Sequence, residues 1–277
     1  MAAGPKEGSA QLPGPGPQRG MRAVEAQPAG VLAKRGPYYA LVIGINDYRY
    51  LPKLKTAIND ATAIADVLHK TYGFETKLLK NATRRDILTA LSEYERNVPE
   101  DANLLIYYAG HGHFYPGTDK AYWLPADAER ETKADWIIAD DITSGVKAIP
   151  AKHILIVSDS CYSGGITRDV DLRNTPRDRD RYIQKMIASK SRTLMSSGGN
   201  EPVADGGGGG HSVFANAILH GLEQMDGDVF TAEELFHTSI RISVAGRSEQ
   251  TPQYNPIRNS GHDDGDFVFD RRNPPAK

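Results

Sequence analysis

The residues of this sequence best suited to covalent chemistry are a cysteine and a histidine. Cys161 is the single cysteine in 277 residues, so it has no disulfide partner within the chain. A thiolate is a strong nucleophile, and an imidazole can take the thiol proton and later return it to a leaving amine. Both residues follow apolar runs. Leu104-Leu105-Ile106-Tyr107-Tyr108-Ala109 leads into Gly110-His111-Gly112-His113, and Ile154-Leu155-Ile156-Val157 leads into Ser158-Asp159-Ser160-Cys161-Tyr162-Ser163-Gly164-Gly165. Short runs of this kind read as strands buried on both faces of a parallel sheet. His111 and Cys161 are then expected just past the carboxyl ends of two strands, the edge where open α/β sheets form sites. Gly112, Gly164 and Gly165 leave room for a substrate backbone. The backbone N–H groups of Gly112 and Cys161 are candidates to hold an oxyanion. Taken singly, a cysteine near a strand end is more often a small buried hydrophobe, and the histidine more often a structural loop residue. Their pairing carries the chemical reading.

The elements that must position this pair alternate in type. Tyr38 to Ile45 reads as a first strand, followed by a loop carrying Tyr48, Leu51 and Pro52. Ala57, Ala61, Ile64, Ala65 and Leu68 recur at helical spacing and stop near Gly73. Phe74 to Leu79 reads as a second strand. Thr83 with Asp86 caps a helix whose apolar stripe is Ile87, Leu88, Leu91 and Tyr94. Alternating strands and helices predict a parallel sheet with helices on both faces. Beyond His111, Tyr122 to Pro125 is extended, and a short helix opens at Ala139-Asp140-Asp141-Ile142. Thr193 to Ser197 reads as another strand and Gly206 to Gly210 as a mobile loop. Val213, Phe214, Ala217, Ile218 and Leu222 mark a helix. Thr231 with Glu234 caps the next, and Phe267-Val268-Phe269 closes the fold as a strand.

Composition narrows the class. Hydrophobic content of 39% and charged content of 25% suit a globular protein. A formal net charge of −2 gives no reason to expect nucleic acid or an anionic membrane as partner. No apolar run is long enough to span a bilayer. The absence of a signal-peptide core and the single cysteine set the expectation of a cytoplasmic protein. Residues 1–36 are dominated by Ala, Gly and Pro and are expected to be disordered.

The motifs Tyr107-Tyr108-Ala109-Gly110-His111-Gly112 and Asp159-Ser160-Cys161-Tyr162-Ser163-Gly164 resemble the two catalytic motifs of caspase-like cysteine proteases. The form is that of metacaspases and bacterial orthocaspases. The histidine precedes the cysteine by fifty positions, close to caspase spacing. The resemblance extends from about Tyr38 to about Asp270. It implies a caspase-like α/β/α sandwich with a mostly parallel central sheet. It also implies a peptidase domain over 37–270: a large-subunit-like part over about 37–165, a charged linker loop over 166–192 and a small-subunit-like part over 193–270. Residues 271–277 form a tail.

On this resemblance His111, flanked by glycines as in the motif, is the base in preference to His113, and Cys161 is the nucleophile. No third member of a triad is visible. Metacaspases hold a basic substrate side chain in an acidic pocket. Asp159 matches that pattern, as does Asp60 in Ala57-Ile58-Asn59-Asp60, with Ala57 where the family usually has Cys. Two carboxylates can return bidentate, charge-assisted hydrogen bonds to a desolvated guanidinium. Asp60 reads alternatively as a helix cap or a solvent-facing residue. Asp140 and Asp141 match a paired aspartate that helps bind calcium in metacaspases. The acidic segment usual after the catalytic histidine is replaced by Phe114-Tyr115-Pro116-Gly117-Thr118-Asp119. No cofactor is therefore required on this reading, and Asp140-Asp141 read equally as helix-capping residues. Arg168, Arg173, Arg177, Arg179 and Arg181 lie in a charged stretch read as an exposed loop open to self-processing.

The function expected is a cysteine endopeptidase cutting proteins or peptides after Arg or Lys, with autocatalytic cleavage. Two alternatives are a catalytically silent caspase-fold interaction module and a flavodoxin-like binding domain. Gly44-Ile45-Asn46-Asp47 after the first strand lacks the glycine-rich phosphate loop that would favour the latter.

Overall fold

A computed structural model describes Met1 and residues 35–160, 176–198 and 209–272, with backbone only at 176–178. In chain order the elements are β1 (Tyr38–Gly44), α1 (Ala57–Tyr72), β2 (Glu75–Lys80), α2 (Arg84–Asn97), β3 (Asn103–Ala109), β4 (Gly112–Tyr115), β5 (Lys120–Trp123), β6 (Ile137–Ile138), α3 (Ala139–Ala148) and β7 (His153–Asp159). They continue with α4 (Pro176–Ala188), β8 (Ser191–Ser196), α5 (Val213–Gln224), β9 (Val229–Thr231), α6 (Ala232–Leu235), a π turn (Phe236–Ile240), α7 (Arg241–Ala245), β10 (Gln253–Pro256) and β11 (Val268–Asp270).

The central sheet has the order β10-β8-β7-β3-β1-β2. Every pairing in it is parallel except β10 with β8. Side chains alternate across β1, β3 and β7 with the period of two that a pleated strand imposes. Val42, Tyr107 and Val157 pack with α1 and α5 on one face. Ile43, Ile106 and Ile156 pack with α2 and α3 on the other. Burial of each such side chain contributes about 1.5–3 kcal/mol, and double coverage explains why these strands read as continuous apolar runs.

Both expected capping boxes form, at Thr83–Asp86 and Thr231–Glu234. Arg192 is fully buried at the start of β8. It donates to the carbonyls of Ile149, Ala151, Lys152 and Ser191, tying that strand to the α3–β7 connection.

Three boundaries move. Residues 2–34 of the segment expected to be disordered lie outside the described residues, but Arg35 and Gly36 are docked. Arg35 pairs with Asp270 at 3.1 Å, and Gly36 accepts from Asn103. The tail from residue 271 is likewise anchored at its start, where Arg271 donates to the carbonyls of Leu222, Met225 and Gly227. A cation there suits the C-terminal end of α5.

The charged stretch over 166–192 is a helix from Pro176 onward, not a loop throughout. Ile183, Met186 and Ile187 bury one stripe against Val229 and Val268. Arg179, expected in an exposed loop, donates to both oxygens of Glu234, at 2.9 and 3.2 Å, and to the Val229 carbonyl at 2.8 Å. Arg181 also lies on α4 and is exposed. Arg168 and Arg173 lie outside the described residues, as does the side chain of Arg177.

Candidate active site

The sheet register brings the ends of β3 and β7 to one level. Ala109 at the end of β3 pairs with Asp159 at the end of β7. His111 follows Ala109 by two residues. Cys161 follows Asp159 by two residues and lies outside the described residues, as do Gly164 and Gly165.

His111 is held from three directions by the loop between β1 and α1 and by β3. Its Nε2 lies 2.8 Å from the carbonyl oxygen of Pro52. A carbonyl can only accept, so Nε2 carries the proton and Nδ1 is the basic nitrogen. Its backbone N–H donates to the Tyr48 hydroxyl at 2.7 Å, and the Tyr48 ring packs at 4.6 Å from the imidazole. Its carbonyl accepts from the Tyr108 hydroxyl at 2.8 Å. Burial pushes the Tyr48 and Tyr108 phenols above their ordinary range, so both stay neutral hydroxyls. Gly110 allows this convergence. A β-carbon there would lie 2.7 Å from the Tyr48 oxygen and 2.8 Å from the Tyr108 oxygen, closer than packing permits.

The loop that supplies Pro52 and Tyr48 is itself pinned. Asn46 accepts from Leu54 N through its carbonyl and from Ile58 N through its side chain. Arg49 N donates to the Ala126 carbonyl. Sequence reasoning missed Pro52 because any residue supplies a carbonyl, and side-chain type is blind to that role. His113 sits on β4 with its ring 5.1 Å from Trp136, facing a different cluster. Gly112 opens β4 opposite Trp123. The Trp123 ring stacks on Tyr108 at 4.3 Å.

Asp60 and Asp159 are both buried, at 1% and 2% exposure, and line one small pocket with Leu54, Thr56, Ala57, Ala109 and Gly110. Asp60 thus neither faces solvent nor caps α1, whose N-cap is Thr56. Burial raises the Asp60 pKa above the ordinary carboxylate value. Hydrogen bonds from His211, Ser212 and Thr56 oppose that rise. His211 Nδ1 lies 2.7 Å from Asp60, and the Ser212 hydroxyl donates to Asp159 at 2.5 Å. His211 reads from sequence as a plain loop residue. Ser212, a serine directly before an apolar helical run, carries a recognisable cap signal.

Asp140 and Asp141 occupy the first turn of α3 and are exposed. Asp140 is engaged by the Lys120 ammonium. No cluster of three or more His, Cys, Asp or Glu side chains with metal-holding geometry occurs among the described residues. Calcium takes six to eight oxygen ligands, and of the two candidate carboxylates Asp140 carries the Lys120 ammonium.

A family model described as a caspase domain matches residues 38–260. Metacaspase-6 from Arabidopsis thaliana is 29% identical over 147 residues, covering 46% of this chain and 38% of the relative. Metacaspase-1B from Aspergillus fumigatus is 25% identical over 142 residues, covering 45% of this chain and 35% of the relative. The chain therefore matches little more than a third of the length of either. A crystal structure of a protein from Geobacter sulfurreducens superposes with a TM-score of 0.55 at 18% identity, covering 82% of this chain and 97% of that one. This last likeness bears on fold alone and agrees with the mostly parallel, helix-covered sheet.

Proposed function

The chain belongs to the caspase-domain family, a family of cysteine proteases, and from that premise we propose that it is an endopeptidase cutting after Arg or Lys. The observation that carries this is the tethered imidazole of His111, set at the sheet edge where β3 and β7 end in register. Two residues extend a chain by at most about 7 Å, and neighbouring strands lie about 4.8 Å apart. Cys161, two residues past Asp159 in the sequence, is assigned as the nucleophile beside this imidazole. In the reaction, Nδ1 takes the thiol proton and the thiolate attacks the scissile carbonyl. The imidazolium then protonates the leaving amine, and water hydrolyses the thioester. The Pro52 carbonyl keeps the ring in the tautomer this requires and stabilises the imidazolium. The backbone N–H groups of Gly112 and Cys161 are assigned to the oxyanion.

Asp60 and Asp159 are assigned to the basic side chain of the substrate. Their pocket, about 20 Å³, is small. Calcium has no assigned role in any step.

An irreversible inhibitor with an arginyl group and a thiol-reactive warhead tests the reading. Mass spectrometry should find one adduct, on Cys161, that forms faster than with the aspartyl analogue and is lost in His111→Ala. Equal labelling by both compounds would refute the specificity. Labelling rates unaffected by His111→Ala would refute the base.

A further inference from the structure

The two pocket carboxylates come from distant parts of the chain, Asp60 from the first turn of α1 and Asp159 from the end of β7. A single dipeptide reaches both. His211 Nδ1 lies 2.7 Å from Asp60 Oδ1. Ser212 N–H donates to both Asp60 oxygens at 3.3 Å. The Ser212 hydroxyl donates to Asp159 Oδ2 at 2.5 Å and accepts from Ala215 N at 2.9 Å as the N-cap of α5. Neither residue lines the pocket. They hold the carboxylates from behind.

The approach of this dipeptide depends on two glycines. Gly209 and Gly210 adopt φ of 64° and 79°, a region costly for other residues. The Gly210 carbonyl then accepts from Asn59, the residue before Asp60. An ionised Asp60 can only accept, so Nδ1 of His211 carries the proton.

Two buried carboxylates sharing a pocket tend to retain a proton, because burial and mutual repulsion both disfavour the doubly charged state. A pocket with one neutral carboxyl would be a poor host for a cation. Three donors on one dipeptide, at the positive end of α5, counter that tendency. We propose that His211 and Ser212 are positioning residues that keep Asp60 and Asp159 as a matched pair of carboxylates for a basic substrate side chain. This rests on the Arg/Lys reading of the same pocket. Among the described residues, the other ionisable group facing the pair is the buried phenol of Tyr107 on β3, which stays neutral.

The test compares peptides with arginine or citrulline before the scissile bond, because citrulline keeps the shape and removes the charge. Full-length wild type, His211→Ala, Ser212→Ala and Ser212→Thr are assayed across pH. The expected result is an arginine-over-citrulline ratio of kcat/KM that falls about tenfold in each alanine variant, mainly through KM. The acid limb of kcat/KM for arginine should move to higher pH. Ser212→Thr keeps the hydroxyl and should keep the ratio. If Ser212→Ala fails to fold for want of its cap, His211→Ala, which caps nothing, decides the question. A strong arginine preference in wild type that persists unchanged in His211→Ala, with the acid limb unmoved, would overturn the proposal alone. No arginine preference in wild type would overturn both the proposal and the specificity reading.

Discussion

At the scale of single residues, the geometry around His111 depends on side chains that hold the imidazole in place. Tyr48 accepts the backbone N–H of His111 and packs against its ring. Tyr48→Phe keeps the ring and removes the acceptor. A buried N–H left without its partner costs about 1–3 kcal/mol, and the imidazole should lose its fixed position. The expected outcome is a kcat reduced about tenfold with KM nearly unchanged, measured on a basic peptide. A loss carried by KM would place Tyr48 in substrate binding instead. Sequence reading singled out its candidate residues because their types are rare and chemical, as with one cysteine and a histidine between glycines. It did not reach Pro52, whose contribution is a backbone carbonyl. Nor did it reach the His211–Asp60 contact, which spans 151 positions.

Elements were legible wherever local signals agreed. The strands at Tyr38–Gly44, Asn103–Ala109 and His153–Asp159 are continuous apolar runs because helices cover both faces. The caps at Thr83 and Thr231 need only four residues each to be recognised. Helix α4 was hidden because its first turns are alternating Arg and Asp, whose helical partner Glu234 lies 55 residues away from Arg179. That partner bears on self-processing. A peptidase takes its substrate extended, whereas Arg177, Arg179 and Arg181 lie within a helix and Arg179 is engaged three times. Purified wild type should yield two fragments cut after Arg168 or Arg173, with Cys161→Ala remaining whole. N-terminal sequencing of the second fragment checks this, and a cut after Arg179 or Arg181 would contradict it.

Two buried groups that fasten elements together pull stability in opposite directions with pH. Asp266 accepts from Glu233 N, Phe267 N and Tyr254, and burial pushes its pKa up to about 7. Between its ordinary 3.8 and about 7 the folded state holds a proton that the unfolded state has released. This contribution is therefore present at low pH and lost as pH rises through about 7. His153 is bound between Asn103 and the Ser189 carbonyl, and burial lowers its pKa to about 4. Between about 4 and its ordinary 6.5 the unfolded state holds the extra proton, so that contribution grows with pH. Asp266→Asn should lower stability by about 1–3 kcal/mol, because its amide faces backbone donors. It should also leave the His153 slope unopposed. Urea unfolding from about pH 4 to 6.5 should then show stability rising more steeply with pH in the variant than in wild type. Parallel curves would contradict the assignment.

For the whole molecule, the architecture is a doubly covered, mostly parallel sheet with the candidate site at its carboxyl edge. The residues that lead into helix α5, His211 and Ser212, hydrogen-bond Asp60 and Asp159. No helix among the described residues is long and apolar enough to cross a membrane. With Lys120 seated on Asp140, peptidase activity is expected to persist in EGTA. Loss on chelation with recovery in calcium would make Asp140 and Asp141 ligands after all. The central claim is a Cys161–His111 peptidase that selects a basic side chain, and one profile tests it most directly. A peptide library randomised before the scissile bond is cleaved by wild type and by Cys161→Ala, and the products are sequenced. The account predicts cuts after Arg and Lys in wild type and none in the variant, since thiol and base act as a unit. Cleavage after Asp, or substantial turnover by Cys161→Ala, would contradict it.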